Sequence, residues 1–148
     1  MKPSKTAEPK IHYSRLLPPK GFCAITLFGH VFIRKEYEKM GAWAFNELLY
    51  HETIHIKQAI VEHDSWFVFY MKYLGYWIRN MFHCKFKNDI AYHCIPYEME
   101  AYYQEIFWRL DKHYQCHNLQ KFKDFPYKKA ILMYQKGEEW HNALARML

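Results

Sequence analysis

Hydrophobic residues follow two different spacings along this chain, one near the N-terminus and another from residue 43 onward. Residues 22–28 and 30–34 are β-prone runs on either side of Gly29, which predicts a short hairpin or two-stranded ribbon. From Trp43 the apolar residues recur at helical spacing. This second pattern predicts helices over residues 43–62, 65–82, 96–115 and 126–146.

The segments outside these elements complete the predicted architecture. Residues 1–20 contain four prolines and several lysines, which indicates an extended arm. Residues 85–95 and 118–126 have no regular period and are predicted as loops. We therefore expect a mainly α fold of the α+β class, a compact helical domain with a small N-terminal β-hairpin. The predicted organisation is an arm over residues 1–20 and one domain over residues 21–148.

The first predicted helix contains the sequence His51-Glu52-Thr53-Ile54-His55, an HExxH motif. Histidines four residues apart on a helix face the same way, so both can bind one Zn²⁺ ion. Glu52 is rotated by about 100° from His51, which suits a general base for water rather than a ligand. Apolar residues at helical spacing surround the motif, as a partly buried active-site helix requires: Leu48, Leu49, Ile56, Ala59 and Ile60.

A catalytic zinc ion needs a third protein ligand, which most often comes from a second helix. Pro96 suits the first turn of such a helix, and the carboxylates of Glu98 and Glu100 suit its positive N-terminal end. Ala101 lies on the same face as Glu98, where its small side chain permits a close approach to the HExxH helix. We therefore predict Glu98 as the third ligand, with Glu100 as the alternative.

These motifs together carry a resemblance to known proteins. An HExxH pair followed, several tens of residues later, by Glu98-x-x-Ala101 resembles the gluzincin metallopeptidases. Over residues 20–110 the arrangement is more closely similar to a group of small bacterial zinc-peptidase-like proteins. The resemblance implies zinc at His51, His55 and Glu98 with Glu52 as general base. The larger gluzincins commonly have Asp four residues after the third ligand, where this chain has Tyr102, so the partner that orients a zinc-bound histidine is not identified.

Composition limits the partners. Net charge is +6, with 21 Lys and Arg residues spread along the chain against 15 Asp and Glu. This charge favours anionic surfaces, but no helix-turn-helix, zinc finger or RNA-binding motif is present, so specific nucleic-acid binding is not expected. Aromatic residues make up 20% of the chain, more than a core of this size needs. Some rings should therefore lie at a groove, an interface or a membrane surface.

The most apolar segment is residues 66–82, interrupted by Lys72 and Arg79. Two cations oppose insertion as a transmembrane span, so we expect burial against the HExxH helix, with peripheral membrane contact as the alternative. Residues 1–5 lack the apolar core of a signal peptide, which predicts a cytoplasmic protein, with membrane association as the alternative.

The four cysteines, Cys23, Cys84, Cys94 and Cys116, form no CxxC pair and are predicted to be reduced thiols. A Cys84–Cys94 bridge or a second metal site at the neighbouring histidines is the alternative.

The expected function is that of a zinc metallopeptidase acting on a peptide or protein substrate through Glu-activated water. Two other classes stay open. One is a metal-binding protein without turnover, and the other is a peripheral protein that binds membranes or other anionic surfaces.

Overall fold

The computed structural model describes residues 2–3, 9–110 and 118–148. The chain divides into two compact units, Met1–Phe69 and Tyr70–Leu148. A small three-stranded sheet lies near the N-terminus, and helices dominate the remainder of the described chain. The predicted mainly α fold of the α+β class is thus confirmed. The single domain over residues 21–148 stays a prediction.

The first unit contains the predicted hairpin, made of β2 (Ala24–Leu27) and β3 (His30–Arg34). The two strands pair antiparallel, with Thr26 opposite Val31. Phe28 and Gly29 connect them with φ angles of 52° and 84°. Two consecutive positive φ angles are typical of the two-residue turn that matches the twist of a hairpin. The sequence prediction of a hairpin around Gly29 is confirmed.

A third strand, β1 (Lys10–Ser14), pairs in parallel with β3, so the strand order is β1-β3-β2. Lys10 lies opposite His30, and Ser14 opposite Arg34. This strand falls within the segment predicted as an extended arm, and the sequence analysis did not identify it. Its pairing depends on a partner about twenty residues away, which local composition does not reveal.

Helix α1 (Ala42–Val61) carries the HExxH motif and packs against β2. It has no internal proline or glycine, and Gly41 occupies its N-cap in an extended conformation. The buried residues of α1 are concentrated in its second half: His51, Glu52, Ile54, His55, Ile56, Gln58 and Ala59. The motif therefore lies on a regular helix, as predicted from its flanking sequence.

Helix α2 (Trp66–His83) matches the predicted aromatic helix. Trp66, Phe69 and Asn80 are buried, whereas Leu74 is 45% exposed and Phe82 is 70% exposed. One face of α2 is therefore exposed, and the expected packing of this segment against the HExxH helix stays a prediction. No helix of the described residues has the length and apolar character needed to cross a membrane.

The second unit continues with α3 (Asn88–His93), α4 (Pro96–Leu110), α5 (Leu119–Asp124), α6 (Tyr127–Gln135) and α7 (Trp140–Met147). Helix α4 packs against α5 and α7, and α3 packs against α6. These contacts bury a core formed by Cys84, Ile90, Ala91, Cys94, Met99, Tyr103, Phe122, Ala130, Ile131, Trp140, Ala143 and Leu144.

Three predictions for this unit need correction. The predicted loops over residues 85–95 and 118–126 contain the six-residue helices α3 and α5. Helices this short are marginal in isolation and form because tertiary packing stabilises them. The predicted helix over residues 126–146 is interrupted at Gly137, whose φ is 72°. Glu139 then caps α7 by accepting hydrogen bonds from the amides of His141 and Asn142. The end of the predicted helix over residues 96–115 lies outside the described residues.

Candidate metal centre

His51 and His55 lie one turn apart in α1, and both side chains are buried. Their ring centroids are 5.0 Å apart, with the ring planes nearly perpendicular. The spacing of four residues brings both imidazoles to the same face of the helix, as the sequence predicts. Phe69 lies beside them, its ring centroid 6.2 Å from that of His55.

Gln58 fixes the tautomer of His55. The Nδ1 atom of His55 lies 2.8 Å from Oε1 of Gln58, and both side chains are buried. An amide oxygen only accepts hydrogen bonds, so Nδ1 carries the proton and donates it. The Nε2 atom then holds the lone pair that a metal ligand needs. Gln58 therefore orients His55, in the manner of the outer-shell partners that align zinc-binding histidines. Sequence analysis missed this residue, although its position three residues after His55 places it on the same face.

Glu52 is held by a residue of the neighbouring sheet. The hydroxyl of Thr26 in β2 donates to Oε2 of Glu52 over 2.5 Å, and both residues are buried. This hydrogen bond ties the carboxylate of the motif to the sheet. Thr26 lies 26 residues before Glu52, so no local pattern identifies it.

Glu98 lies in the first turn of α4 and is 2% exposed. The hydroxyl of Tyr73 in α2 donates to its Oε1 atom over 2.8 Å. The Tyr73 ring also stacks on that of Tyr97, with a centroid distance of 6.1 Å and an interplanar angle of 2°. The stacking limits rotation of Tyr73, and its hydroxyl therefore holds the Glu98 carboxylate in a defined orientation.

Glu100, the alternative ligand, has a different partner. It is also buried, and its Oε2 atom accepts a hydrogen bond of 2.8 Å from the backbone amide of Asn118. Asn118 is the N-cap residue of α5. Glu100 therefore connects α4 to the start of α5, which accounts for its burial without a metal.

The structure brings His51, His55 and Glu98 into one buried group. One ligand atom from each side chain lies within 4.8 Å of the other two. Zinc binds imidazole nitrogen and carboxylate oxygen at about 2.0–2.2 Å, so one ion can reach all three after small side-chain adjustments. Two neutral imidazoles and one carboxylate are also a donor set that zinc commonly takes in enzymes. This buried His-His-Glu group could therefore hold a metal ion. Among the described residues it is the only group of this kind.

The cysteines of the described chain are outside this group. Cys23, Cys84 and Cys94 are free thiols, so the alternative of a Cys84–Cys94 bridge is wrong. Burial raises the pKa of the Cys94 thiol to about 12, which keeps it protonated. Burial and the carboxylates of Glu52 and Glu36 raise the pKa of Cys23 as well. The predicted thiol at Cys116 lies outside the described residues.

Comparison of the chain with protein-family models, with curated proteins and with solved structures finds no match.

Proposed function

We propose that this protein is a zinc-dependent metallopeptidase in which His51, His55 and Glu98 bind the metal and Glu52 is the general base. The observation that carries the proposal is the buried group formed by the two histidines and Glu98, whose ligand atoms lie within 4.8 Å of one another. Glu52 follows His51 directly in the sequence and is itself buried, which supports its assignment as the base.

A zinc ion held by His51, His55 and Glu98 would supply Lewis acidity, which would polarise a substrate carbonyl and lower the pKa of water towards about 7. Glu52 takes the proton from the attacking water and later delivers it to the leaving amine. Thr26 holds the Oε2 atom of Glu52, so the carboxylate keeps one orientation during both transfers. Gln58 and Tyr73 hold His55 and Glu98 in the same way. Glu52, His55 and Glu98 therefore each have a positioning partner.

The choice of a peptide substrate is supported by the resemblance of this motif set to the gluzincin metallopeptidases. Those enzymes hydrolyse peptide bonds at a metal site formed by an HExxH helix and a Glu from a second helix. The present chain carries the same residue types at His51, Glu52, His55 and Glu98. Two imidazole nitrogens and one carboxylate oxygen favour zinc over magnesium or calcium, because those two metals prefer all-oxygen sites.

Metal analysis of purified protein tests the ligand set. We expect one zinc per chain in the wild type, and loss of most of it in His55→Ala and in Glu98→Gln. Glu100→Gln is the matched control, because it makes the same chemical change on the same helix at a carboxylate that bonds to a backbone amide. If Glu100→Gln loses zinc and Glu98→Gln keeps it, the assigned third ligand is wrong.

Glu52→Gln separates metal binding from catalysis. The amide has nearly the same size as the carboxylate and is not a base, so we expect zinc to be retained and peptide hydrolysis to be lost. Hydrolysis would be followed with a mixture of peptides of varied sequence, since the substrate is identified only by class. Full zinc content with no hydrolysis by the wild type would instead favour a metal-binding protein without turnover.

A further inference from the structure

The outer face of α2 carries an exposed apolar stripe. Met71, Leu74, Ile78 and Phe82 follow one another at spacings of three and four residues, so they lie along one side of the helix. All four are exposed, and Phe86 just beyond the helix is 64% exposed. Scattered apolar residues are common on protein surfaces, but a contiguous set of this kind is typical of an interaction site. We call these five residues the α2 stripe.

The turn after α2 adds an aromatic pair to the end of this stripe. Lys85 and Phe86 have φ angles of 56° and 62°, in the left-handed region that residues with a side chain rarely adopt. The amide of Phe86 donates to the carbonyl of Met81 over 2.8 Å, which holds the turn closed. The Phe86 ring then lies 5.3 Å from that of Phe82. The backbone is thus held in an uncommon conformation that leaves two adjacent phenylalanines exposed.

The segment that carries the stripe is basic. Between Asp64 and Asp89 the sequence contains no acidic residue, but it contains four cations: Lys72, Arg79, Lys85 and Lys87. The guanidinium of Arg79 is held 3.9 Å from the centroid of the Tyr127 ring, so it is engaged within the protein. Lys85 and Lys87 are exposed on either side of Phe86. The stripe therefore ends in a pair of surface cations beside a phenylalanine.

The two candidate partners for this surface, a second copy of the chain and a lipid bilayer, differ in charge. A second copy of the chain would bring the same cations together. The nearest carboxylate in the sequence, Asp89, already accepts the hydroxyl of Tyr134 and lies 3.2 Å from His93, so pairing of the cations with a second copy is unfavourable. An anionic lipid surface complements them, because apolar side chains enter the boundary between headgroups and acyl chains while lysines remain at the phosphates. We propose that the α2 stripe docks the protein on the surface of an anionic phospholipid bilayer. Met71, Leu74, Ile78, Phe82 and Phe86 form the inserted face, and Lys85 and Lys87 bind headgroup phosphates.

Vesicle flotation of variants that have the same net charge as the wild type tests the apolar part of this surface. We expect the wild type to bind vesicles of phosphatidylcholine with phosphatidylglycerol and to bind pure phosphatidylcholine vesicles weakly. The double variant Leu74→Ser/Ile78→Ser keeps the charge of the protein, and its binding should be weaker by about tenfold or more. Leu132→Ser is the matched control, because Leu132 is 52% exposed on α6 and lies outside the stripe. Circular dichroism would establish that all variants are folded.

The contribution of Lys85 and Lys87 is tested with a separate pair of charge variants. Lys85→Gln/Lys87→Gln should weaken binding and reduce its sensitivity to salt more than Lys121→Gln/Lys136→Gln, which removes the same charge from exposed positions of α5 and the end of α6. Equal binding by the wild type and Leu74→Ser/Ile78→Ser would overturn the proposal, since net charge alone would then account for adhesion. Absence of vesicle binding together with a dimer that Leu74→Ser/Ile78→Ser dissociates would also overturn it and assign the stripe to self-association.

Discussion

Thr26 in β2 donates a hydrogen bond of 2.5 Å to Glu52 in α1, so the sheet of the first unit holds the carboxylate of the HExxH motif. Both residues are buried. A buried carboxylate needs such donors, because burial without a partner costs several kcal/mol. The small β-sheet therefore positions the carboxylate of the HExxH motif.

We expect Thr26→Val, which has nearly the same shape, to lower the free energy of unfolding by about 1.5–3 kcal/mol, since Glu52 loses a donor in a buried site. Urea unfolding would measure the change. Thr26→Ser keeps the hydroxyl and should lose less. Zinc content should be normal in both variants, and in Thr26→Val the rate of the proposed hydrolysis should fall more than substrate affinity does. Equal stability of the two variants would show that the hydrogen bond contributes little.

Gln58→Met should weaken zinc binding by about ten- to a hundredfold, the usual effect of losing a partner that orients a ligating histidine. Methionine fills a similar volume, and its thioether sulfur is only a weak acceptor for the proton on Nδ1 of His55. Competition with a chelator of known affinity would give the dissociation constant. Gln120→Met, at an exposed glutamine that bonds to Asp124, is the control and should bind zinc as the wild type does. Unchanged affinity in Gln58→Met would remove Gln58 from the centre.

Tyr73→Phe deletes the hydroxyl that donates to Oε1 of Glu98 and keeps the ring that stacks on Tyr97. We expect zinc affinity to fall by about tenfold with little change in the unfolding temperature, because the stacking and the buried volume are preserved. The same chelator competition would measure the affinity. Tyr127→Phe serves as control, since the Tyr127 ring packs against the guanidinium of Arg79 rather than against Glu98. A loss of affinity in both variants would indicate a general effect of the hydroxyl deletions.

His141 predicts a pH dependence of stability. Its Nε2 atom lies 3.2 Å from Oε2 of Glu105, and its Nδ1 atom lies 2.8 Å from Oε1 of Glu139. The hydrogen bond to Glu105 first, and that to Glu139 next, raise the pKa of His141 above its ordinary value. The charged imidazole therefore stabilises the fold fully below about pH 6.5, the unfolded pKa, and this contribution is lost as pH rises through the raised folded pKa.

Thermal unfolding measured from about pH 6 to pH 9 tests whether stability decreases as pH rises. We expect the unfolding temperature of the wild type to decrease over this interval relative to that of His141→Gln, which does not titrate. His63→Asn removes an exposed histidine and should follow the wild type. Parallel curves for the wild type and His141→Gln would contradict the prediction.

Much of the fold and of the candidate site could be predicted from local patterns. The helical period around residues 43–62 is strong because α1 is long and has one buried side, and the hairpin is marked by Gly29 between two β-prone runs. The short helices α3 and α5 could not be predicted, since packing of residues such as Ile90 and Phe122 stabilises them rather than their own propensity. Which side of α2 is exposed could not be predicted, because hydrophobicity alone does not show which face of an apolar helix meets solvent; Leu74, for example, is 45% exposed.

The sequence by itself placed His51 and His55 on the same face of one helix, with Glu52 beside them in the chain, because a spacing of four residues on a helix is a local property. It also narrowed the third ligand to Glu98 or Glu100, which differ by two residues on one helix. Only the tertiary structure separated these two carboxylates: one ligand atom of Glu98 lies within 4.8 Å of those of both histidines, whereas Glu100 accepts the amide of Asn118. Thr26 and Tyr73 likewise lie about 25 residues from the carboxylates that they hold, a separation that folding closes and no local pattern encodes.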